Sequence, residues 1–432
     1  MTLTKPGTLW LYGLGEWGPS ALETFFRINL LIYCTDVLLI APGAAGLMVA
    51  VGVIWDAITD PWIGKLSDSS LSRFGRRIPF MVLGAITLPI SASLMFFVPQ
   101  SSTSIYSIGF LYLLSNTSLT LINVPHSALG GDISKQDSIR QKIYAWRYLF
   151  TIVGLLSGIA IPGLLLEQDQ RVQSYQAAAV IIGSIILLGT LICSWFFRDP
   201  KLQGQPQTPQ RGIAQFLKLR SNHAFLILVV AYLAATIGQA INSATALYYY
   251  RYRLQLEESQ TQGVLIVFTL VISLSIVIWQ KLAERYDLRY LLFGSIFSLG
   301  LIGSIVYPMF PVSEVWPAYS MAVVGGILVG SIFLMDVALA NVVDAGDEPD
   351  SYGRYFGFWK LSAKVSRALA IGLAGLLLEA IGFESGTKPD AETRSYLGFI
   401  FGPGVGVFFM LGAALMLKFP STKEANKVGK GS

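Results

Sequence analysis

Two carboxylates inside an apolar stretch are the residues of this chain whose spacing suggests chemistry. Asp56 and Asp60 lie four residues apart in a run that begins near Gly43 and continues past Pro61. On a helix with ~3.6 residues per turn and ~1.5 Å rise per residue, they share one face, about 6 Å apart along it. Acidic side chains in a membrane helix are costly and normally face a polar cavity or a partner. Two hard oxygen ligands one turn apart suit Na⁺ or a proton, and the alternative is a structural pair neutralised by a Lys or Arg elsewhere.

The composition indicates an integral membrane protein. The 432 residues are 53% hydrophobic and 13% charged, whereas a soluble domain carries about 25% charged residues. The two cysteines, Cys34 and Cys193, lie in apolar runs and are predicted to be packing residues, not a disulfide or a metal site. Only two histidines occur, His126 and His223, which argues against a His-based metal or catalytic cluster.

Motifs for other chemistry are missing from the sequence. It contains no Gly-Lys-Ser/Thr phosphate loop, no evident Ser-His-Asp arrangement and no zinc-ligand spacing. We therefore predict that the chain is not an enzyme, needs no cofactor, binds no nucleic acid and holds no metal beyond a Na⁺ at Asp56 and Asp60.

Twelve apolar stretches are long enough to span a bilayer. The first is expected to be retained as a helix, because Met1 to Gly7 lack the charged-then-apolar pattern and cleavage site of a signal peptide. The stretches are 10–40, 43–66, 77–98, 104–130, 143–167, 174–197, 223–250, 262–282, 290–310, 315–343, 355–382 and 394–418.

The connectors between these stretches divide by charge. Lys and Arg are concentrated after the second, fourth, sixth and eighth stretches and in the tail, while the opposite connectors hold few. The positive-inside rule then places the basic connectors and both termini in the cytoplasm of a cell or inner membrane. Within the first basic connector we predict a cytoplasmic gate made by Asp68, Arg73, Arg76 and Arg77, and the alternative is that these residues only set the topology.

The order of the stretches indicates two halves. Residues 199–222 carry the sequence Gly-Gln-Pro-Gln-Thr-Pro-Gln, which is typical of a linker. A basic turn follows the second stretch and recurs at the equivalent place after the eighth, which is the layout of major facilitator transporters. We therefore predict an all-α membrane protein of two pseudo-symmetric six-helix bundles around a cavity that opens alternately to each side. The predicted domains are 1–198, the cytoplasmic linker 199–222, 223–418 and a cytoplasmic tail 419–432.

Several motifs, in order along nearly the whole chain, make it similar to a known family. They are Tyr12-Gly13-Leu14-Gly15-Glu16, Thr35-Asp36-Val37, Trp55-Asp56-Ala57-Ile58-Thr59-Asp60-Pro61, Asn123-Val124-Pro125, Ala340-Asn341-Val342-Val343-Asp344 and Gly357-Phe358-Trp359. The chain thereby resembles the glycoside–pentoside–hexuronide:cation symporter family of the major facilitator superfamily, to which melibiose permease belongs. The Trp-Asp-x-x-x-Asp-Pro motif is the specific part of this resemblance.

The resemblance implies roles for individual residues. It implies that Asp56 and Asp60 coordinate the coupling cation together with Thr120 on the fourth helix. Thr59 stands where the family commonly has an asparagine and is included in the predicted site, so Na⁺ and H⁺ both remain open. The resemblance also implies that Lys364 and Arg147 bring positive charge toward the two acids, which would keep them ionised until a cation arrives.

The substrate positions depart from the family pattern. Ser20 and Asn123 stand where sugar-transporting members have acids, and an alternative for Asn123 is an amide that only stabilises helix packing. A carboxylate can accept hydrogen bonds from two sugar hydroxyls, and Ser or Asn binds them less strongly. The galactoside specificity of those members is therefore not expected in this chain. Gln239 and Asn242 are further candidates for lining the cavity.

Roles are also predicted for other charged or titratable residues within the apolar stretches. Glu23 and Arg27 form an i, i+4 pair that we expect to be structural. Arg367 is expected to lie too deep to remain unpaired, so it meets either Asp336 or an anionic group of the substrate. His126 is expected to be a satisfied packing residue, with a proton relay as the alternative.

These features predict a cation-coupled secondary active transporter, driven by Na⁺ or H⁺, of a small polar or anionic solute such as a sugar or glycoside. The first alternative is a carrier of an amphipathic lipid or pigment on the same fold, because the acids that bind sugars are missing. The second is a membrane assembly factor without transport activity. The predicted partners are a small-molecule solute and membrane lipid, and the predicted state is a monomer.

Overall fold

The structure is a computed structural model that describes residues 6–98, 104–134, 136–165, 171–198, 222–344 and 352–420. Within these ranges all regular structure is helical, which confirms the all-α fold class. Eleven of the described helices are long and apolar enough to cross a membrane. The remaining long helix, Trp10–Asp36, has 27 residues and is less apolar because it carries Glu16, Glu23 and Arg27.

Six helices make up the first half of the chain. Most of them contain an internal proline and nevertheless continue through it, as membrane helices can when neighbouring groups satisfy the freed backbone. They are α1 (Trp10–Asp36), α2 (Pro42–Ser69), α3 (Ile78–Phe97), α4 (Ile105–Ile133), α5 (Asp137–Leu165) and α6 (Arg171–Phe196).

Six further helices follow residue 222, and three of them contain an irregular turn. They are α7 (His223–Tyr248, extended by a π turn at Tyr249–Arg253), α8 (Glu258–Arg285), α9 (Leu288–Met309), α10 (Trp316–Gly330 and Leu334–Asp344, joined by a 3₁₀ turn at Ser331–Phe333), α11 (Tyr352–Ala380) and α12 (Ala391–Phe399 and Val405–Met416, joined by a π turn at Ile400–Gly404). Twelve helices therefore form the described part of the chain, as the sequence predicts.

Short polar residues begin several of these helices. Ser104 caps α4, Asn222 caps α7 and Asp390 caps α12, each accepting a hydrogen bond from a backbone N–H of the first turn. Such caps satisfy donors that have no partner within the helix. The ends of the helices are thus determined locally.

Contacts divide the chain into two compact units, residues 1–40 with 51–209 and residues 41–50 with 210–432. In the first unit α1 packs against α5 and α6, and α3 packs against α4 and α6. Gly154 and Gly158 on α5 allow the approach to α1, because a Cβ at Gly154 would lie 2.6 Å from the carbonyl oxygen of Trp17. This packing directs one face of α5 toward α1.

In the second unit α7 packs against α11 and α12, and α8 packs against α10. Its apolar core includes Phe225, Trp359 and Phe409. Residues 41–50, which begin α2, belong to this unit. The N–H of Gly43 donates to Oε2 of Glu379 at 3.0 Å.

The predicted domain boundaries stay predictions. The linker 199–222 lies outside the described residues apart from Asn222, and so does the tail 419–432 beyond residue 420. The assignment of residues 41–50 to the second unit differs from the predicted first domain, 1–198.

Candidate cation and substrate site

The predicted cation residues of α2 and α4 meet in the first unit. The Thr120 hydroxyl lies 2.6 Å from Oδ1 of Asp56 and 3.1 Å from the carbonyl oxygen of Asn116. A hydroxyl has one proton to donate, and the nearer, charged acceptor is the stronger one. Thr120 is 1% exposed, while Asp56 is half-buried. A carboxylate and a hydroxyl from two helices are thus brought together at a partly accessible position.

Helix α2 supplies further oxygen atoms beside this contact. Asp60 is half-buried one turn after Asp56 on an unbroken helix, which gives the two acids the predicted common face. Thr59 is 6% exposed, and its hydroxyl donates to the Asp56 carbonyl oxygen at 3.3 Å. Pro61 has no N–H, so the Ala57 carbonyl lacks its usual i+4 partner in the helix. Carboxylate, hydroxyl and carbonyl oxygens are therefore concentrated on one turn of α2.

Arg147 contacts an acid on α1. Its Nε lies 2.6 Å from Oε2 of Glu16, because the close α1–α5 packing places this part of α5 against α1. The resemblance implied that Arg147 brings positive charge toward Asp56 and Asp60, and that role stays a prediction. Lys364 is half-buried on α11, in the second unit, and its role stays a prediction.

Glu16 is the functional candidate that sequence reasoning missed. It is 8% exposed and, besides Arg147, its carboxylate contacts Nδ1 of His126 at 3.2 Å and the Ser20 hydroxyl at 3.4 Å. Three helices, α1, α4 and α5, are joined through it. The signal in the sequence is that Glu16, unlike Glu23 with Arg27, has no basic residue three or four positions away on its own helix.

His126 is enclosed in this cluster with no exposed surface. Its ring stacks on Tyr12 at a centroid distance of 4.3 Å. The Tyr12 hydroxyl donates to the His126 carbonyl oxygen at 2.8 Å, and Nε2 of His126 lies 2.9 Å from the Tyr12 carbonyl oxygen. The contacts with Tyr12 agree with the packing role expected from the sequence, and the contact with Glu16 adds a charged partner.

The two predicted substrate residues of the first unit differ in their surroundings. Ser20 is buried and donates to Glu16. Asn123 is half-buried, and its Oδ1 is one of the buried side-chain oxygens of the described residues that accept no hydrogen bond. A buried acceptor without a hydrogen bond lowers the stability of the fold unless water or a ligand donates to it.

The second unit places Asp336 against an indole. Nε1 of Trp359 donates to Oδ1 of Asp336 at 2.7 Å, and Tyr232 stacks on the Trp359 ring at 3.8 Å. The predicted pairing of Asp336 with a basic residue of α11 such as Arg367, and its place among the substrate-binding candidates, stay predictions. Arg367, like Gln239 and Asn242, is half-buried.

The basic connector after α2 forms an ion-pair cluster. Asp132, at the end of α4, accepts from Arg76 at 3.0 Å and from Nε of Arg77 at 2.6 Å. Arg77 also contacts Oδ1 of Asp68 at 3.0 Å. Arg73 instead lies over the ring of Phe74, 4.8 Å from its centroid. Asp132 was missed because it is more than fifty residues away in sequence, and the gating role of the cluster stays a prediction.

Known proteins similar to this chain include transporters of different substrates. The sodium-dependent lysophosphatidylcholine symporter 1 of Gallus gallus is 25% identical over 93% of this chain and 84% of its own length. YagG of Escherichia coli strain K12, named as a candidate glycoside/cation symporter, is 25% identical over 87% of this chain and 83% of its own length. A crystal structure of the nucleoside transporter NupG superposes with a TM-score of 0.73 at 15% identity, covering 97% of this chain and all of NupG, and so supports the fold alone.

The family described as MFS/sugar transport protein matches residues 11–423, almost the whole chain. The match confirms the resemblance to cation symporters of the major facilitator superfamily and the twelve-helix fold. It also supports, with the eleven apolar helices, a multi-pass integral membrane protein. The chain belongs to the MFS/sugar transport protein family.

Proposed function

We propose that the chain is a cation-coupled symporter that moves a small polar or anionic solute by alternating access. The observation that carries the proposal is the 2.6 Å contact between Thr120 and Asp56, with Asp60 one turn further on the same helix. Charged side chains are kept within a membrane helix mainly where they bind an ion, a proton or a substrate.

The oxygen set around Asp56 favours Na⁺ over a proton. A proton needs a single carboxylate, whereas a hard cation needs several oxygens, including uncharged ones. Thr120 can donate its proton to Asp56 and still present oxygen lone pairs to a cation. The Ala57 carbonyl, without a helical partner, and the Thr59 hydroxyl are further neutral ligands within reach of the same turn.

Gradient-driven uptake into proteoliposomes tests the coupling. We expect Asp56→Asn and Asp60→Asn to abolish accumulation driven by an ion gradient, while exchange of substrate across the membrane continues. Undiminished accumulation by both variants would refute the cation site. Rates that ignore Na⁺ and Li⁺ but depend steeply on pH would assign the coupling to protons.

A carrier of an amphipathic lipid is the second candidate function. Two observations favour it: the acids of sugar-transporting members are replaced by Ser20 and Asn123, and similar proteins include lysophosphatidylcholine symporters. Competition separates the candidates, with lysophospholipids, neutral glycosides and sugar acids each tested against uptake of the others. Inhibition by lysophospholipid alone supports the lipid carrier, and inhibition by either sugar class alone supports the polar solute.

The charge of the substrate is tested at Arg367. A guanidinium matches carboxylate or phosphate oxygens in a two-point contact. If it binds an anionic substrate, Arg367→Gln inserts normally and loses affinity for acidic substrates only. Rescue of folding and transport by adding Asp336→Asn to Arg367→Gln would instead identify a structural pair, and the anionic substrate would then be abandoned.

A further inference from the structure

The two ring nitrogens of His126 both face hydrogen-bond acceptors. Nε2 lies 2.9 Å from the backbone carbonyl oxygen of Tyr12, which has no proton to donate. Nε2 must therefore carry the hydrogen. The imidazole is neutral in that state only if Nδ1 is bare.

A bare Nδ1 does not fit its partner. It lies 3.2 Å from Oε2 of Glu16, the oxygen that already accepts from Nε of Arg147 at 2.6 Å. A nitrogen lone pair facing a carboxylate oxygen is repulsive. One additional proton, held on Nδ1, turns the contact into a hydrogen bond from Nδ1–H to Oε2.

We propose that the contact between Nδ1 of His126 and Oε2 of Glu16 is a proton-binding site, separate from the cation site at Asp56. The proton is exchanged with water, and no other bond forms or breaks. Without it, Glu16 and Arg147 balance each other. With it, the buried cluster carries one net positive charge, which favours release of the proton as the pH rises.

Three neighbouring helices contribute polar groups beside the site. Helix α1 contributes Glu16, Tyr12 and Ser20, whose hydroxyl lies 3.4 Å from Oε1 of Glu16, and α6 contributes Cys193, whose Sγ lies 3.7 Å from the Tyr12 carbonyl oxygen. Helix α5 contributes Arg147 and Tyr144, whose hydroxyl donates to the Ser127 carbonyl oxygen at 3.4 Å. Because the other groups are uncharged, the opposing charges of Glu16 and Arg147 determine how much of the proton-binding site is occupied.

The site is exposed on the side of the carboxylate and the guanidinium. The side chains of Arg147 and Glu16 are 24% and 11% exposed, whereas the His126 side chain is fully enclosed. The proton therefore enters through the carboxylate. His126 also lies six residues after Thr120 on α4, about 9 Å along the helix axis. The proton would link α4 to α1, and the cation would link α4 to α2. Because both act on the same helix, binding of the proton and binding of the cation are expected to influence each other.

The test is direct, because the chain has only two histidines. Full-length protein labelled with ¹⁵N-histidine is placed in lipid bilayers, and solid-state NMR reports the protonation of both ring nitrogens between pH 5 and 9. His223→Gln assigns the spectrum by leaving the signals of His126. We expect Nε2 to stay protonated throughout and Nδ1 to lose its proton in one step.

Variants of the partners determine whether the site is the one proposed. Glu16→Gln removes the anion that holds the proton, so the midpoint should fall by about 1–3 pH units, the usual influence of a charge at this distance. Arg147→Gln removes the opposing cation and should raise the midpoint, and it provides the test if Glu16→Gln does not fold. Ser157→Ala is the matched control, because Ser157 also links α5 to α1 by accepting from Nε1 of Trp17 at 3.0 Å without contacting Glu16, and it should leave the midpoint in place.

Three results would overturn the proposal: Nδ1 bare at every pH, Nδ1 protonated with Nε2 bare, or midpoints that do not respond to Glu16→Gln and Arg147→Gln. None of these readouts depends on transport, so the proposal can fail or hold independently of the proposed symport. If both hold, His126→Gln should flatten the pH dependence of uptake, and His223→Gln should not.

Discussion

Replacing Thr120 by valine tests the cation site with opposite expectations for the two coupling ions. Valine keeps the shape of threonine and removes the hydroxyl that lies 2.6 Å from Oδ1 of Asp56. Its effect on ion affinity depends on which interactions differ between the free and the ion-bound site. The hydroxyl can donate to Asp56 in both states. This hydrogen bond therefore contributes equally to the free and the Na⁺-bound site and does not change the affinity for Na⁺.

For Na⁺, Thr120→Val therefore removes one oxygen ligand. An interaction of a neutral polar group with a charge contributes about 1.5–3 kcal/mol, and each ~1.4 kcal/mol is a factor of ten in affinity. The Na⁺ concentration that gives half-maximal uptake should rise by about 10- to 100-fold.

For a proton the expectation is different. The hydrogen bond favours the ionised carboxylate, so its loss favours the protonated form. The pH of half-maximal uptake should then rise by about one to two units, since each unit corresponds to ~1.4 kcal/mol.

Uptake into proteoliposomes as a function of Na⁺ concentration and pH measures both quantities. Thr117→Val is the matched control, because Thr117 also links α4 to α2 through Nε1 of Trp55 at 2.9 Å but does not contact Asp56. Thr120→Ser restores the hydroxyl and should restore coupling. If Thr120→Val stays within twofold of the wild type in Na⁺ dependence and keeps its pH profile, Thr120 has no part in ion binding.

Three further predictions concern stability. Asp132→Asn removes the charge that two arginines share and should lower the free energy of unfolding by about 2–4 kcal/mol, somewhat less than for a fully buried pair. Reversible denaturation measures this value, and no change would show that the cluster does not stabilise the fold. Gly158→Ala should cost about 1–3 kcal/mol by overpacking α5 on α1, whereas Gly294→Ala, where a Cβ meets nothing within 4 Å, should cost nothing in the same assay. The pKa of Asp390 is lowered by the backbone N–H and hydroxyl of Thr393, so its stabilisation of α12 is complete above the ordinary aspartate pKa of ~3.9 and is lost as the pH falls through the lowered value in the folded protein. Hydrogen exchange of the first turn of α12 should show this loss in the wild type and not in Asp390→Asn.

Much of the candidate cation site could be predicted because it depends on local geometry. Asp56 and Asp60 share a helix face by their spacing alone, and an apolar run of that length in a membrane has to be helical. Thr120 came only from the family resemblance, since no spacing links residues 64 positions apart. Its contact with Asp56 is then a matter of how α2 and α4 meet.

The partner of Arg147 could not be predicted for the same reason. Its charge is evident in the sequence, but the acid it contacts depends on which face of α5 is turned inward. That orientation follows from the close approach of α5 to α1 at Gly154 and Gly158. Glycine pairs of this kind occur on several helices of the chain, and the sequence does not indicate which neighbouring helix each pair packs against.

The sequence by itself determined the class of protein, the twelve helices and the helix face that carries the two acids. These depend on hydrophobic length and on the period of the helix, which are properties of neighbouring residues. Only the tertiary structure decided that Glu16, His126 and Arg147 form one buried cluster and that Asp132 binds the arginines after α2. Charged groups in a membrane must find a partner, and the packing of helices far apart in sequence determines which partner is within reach.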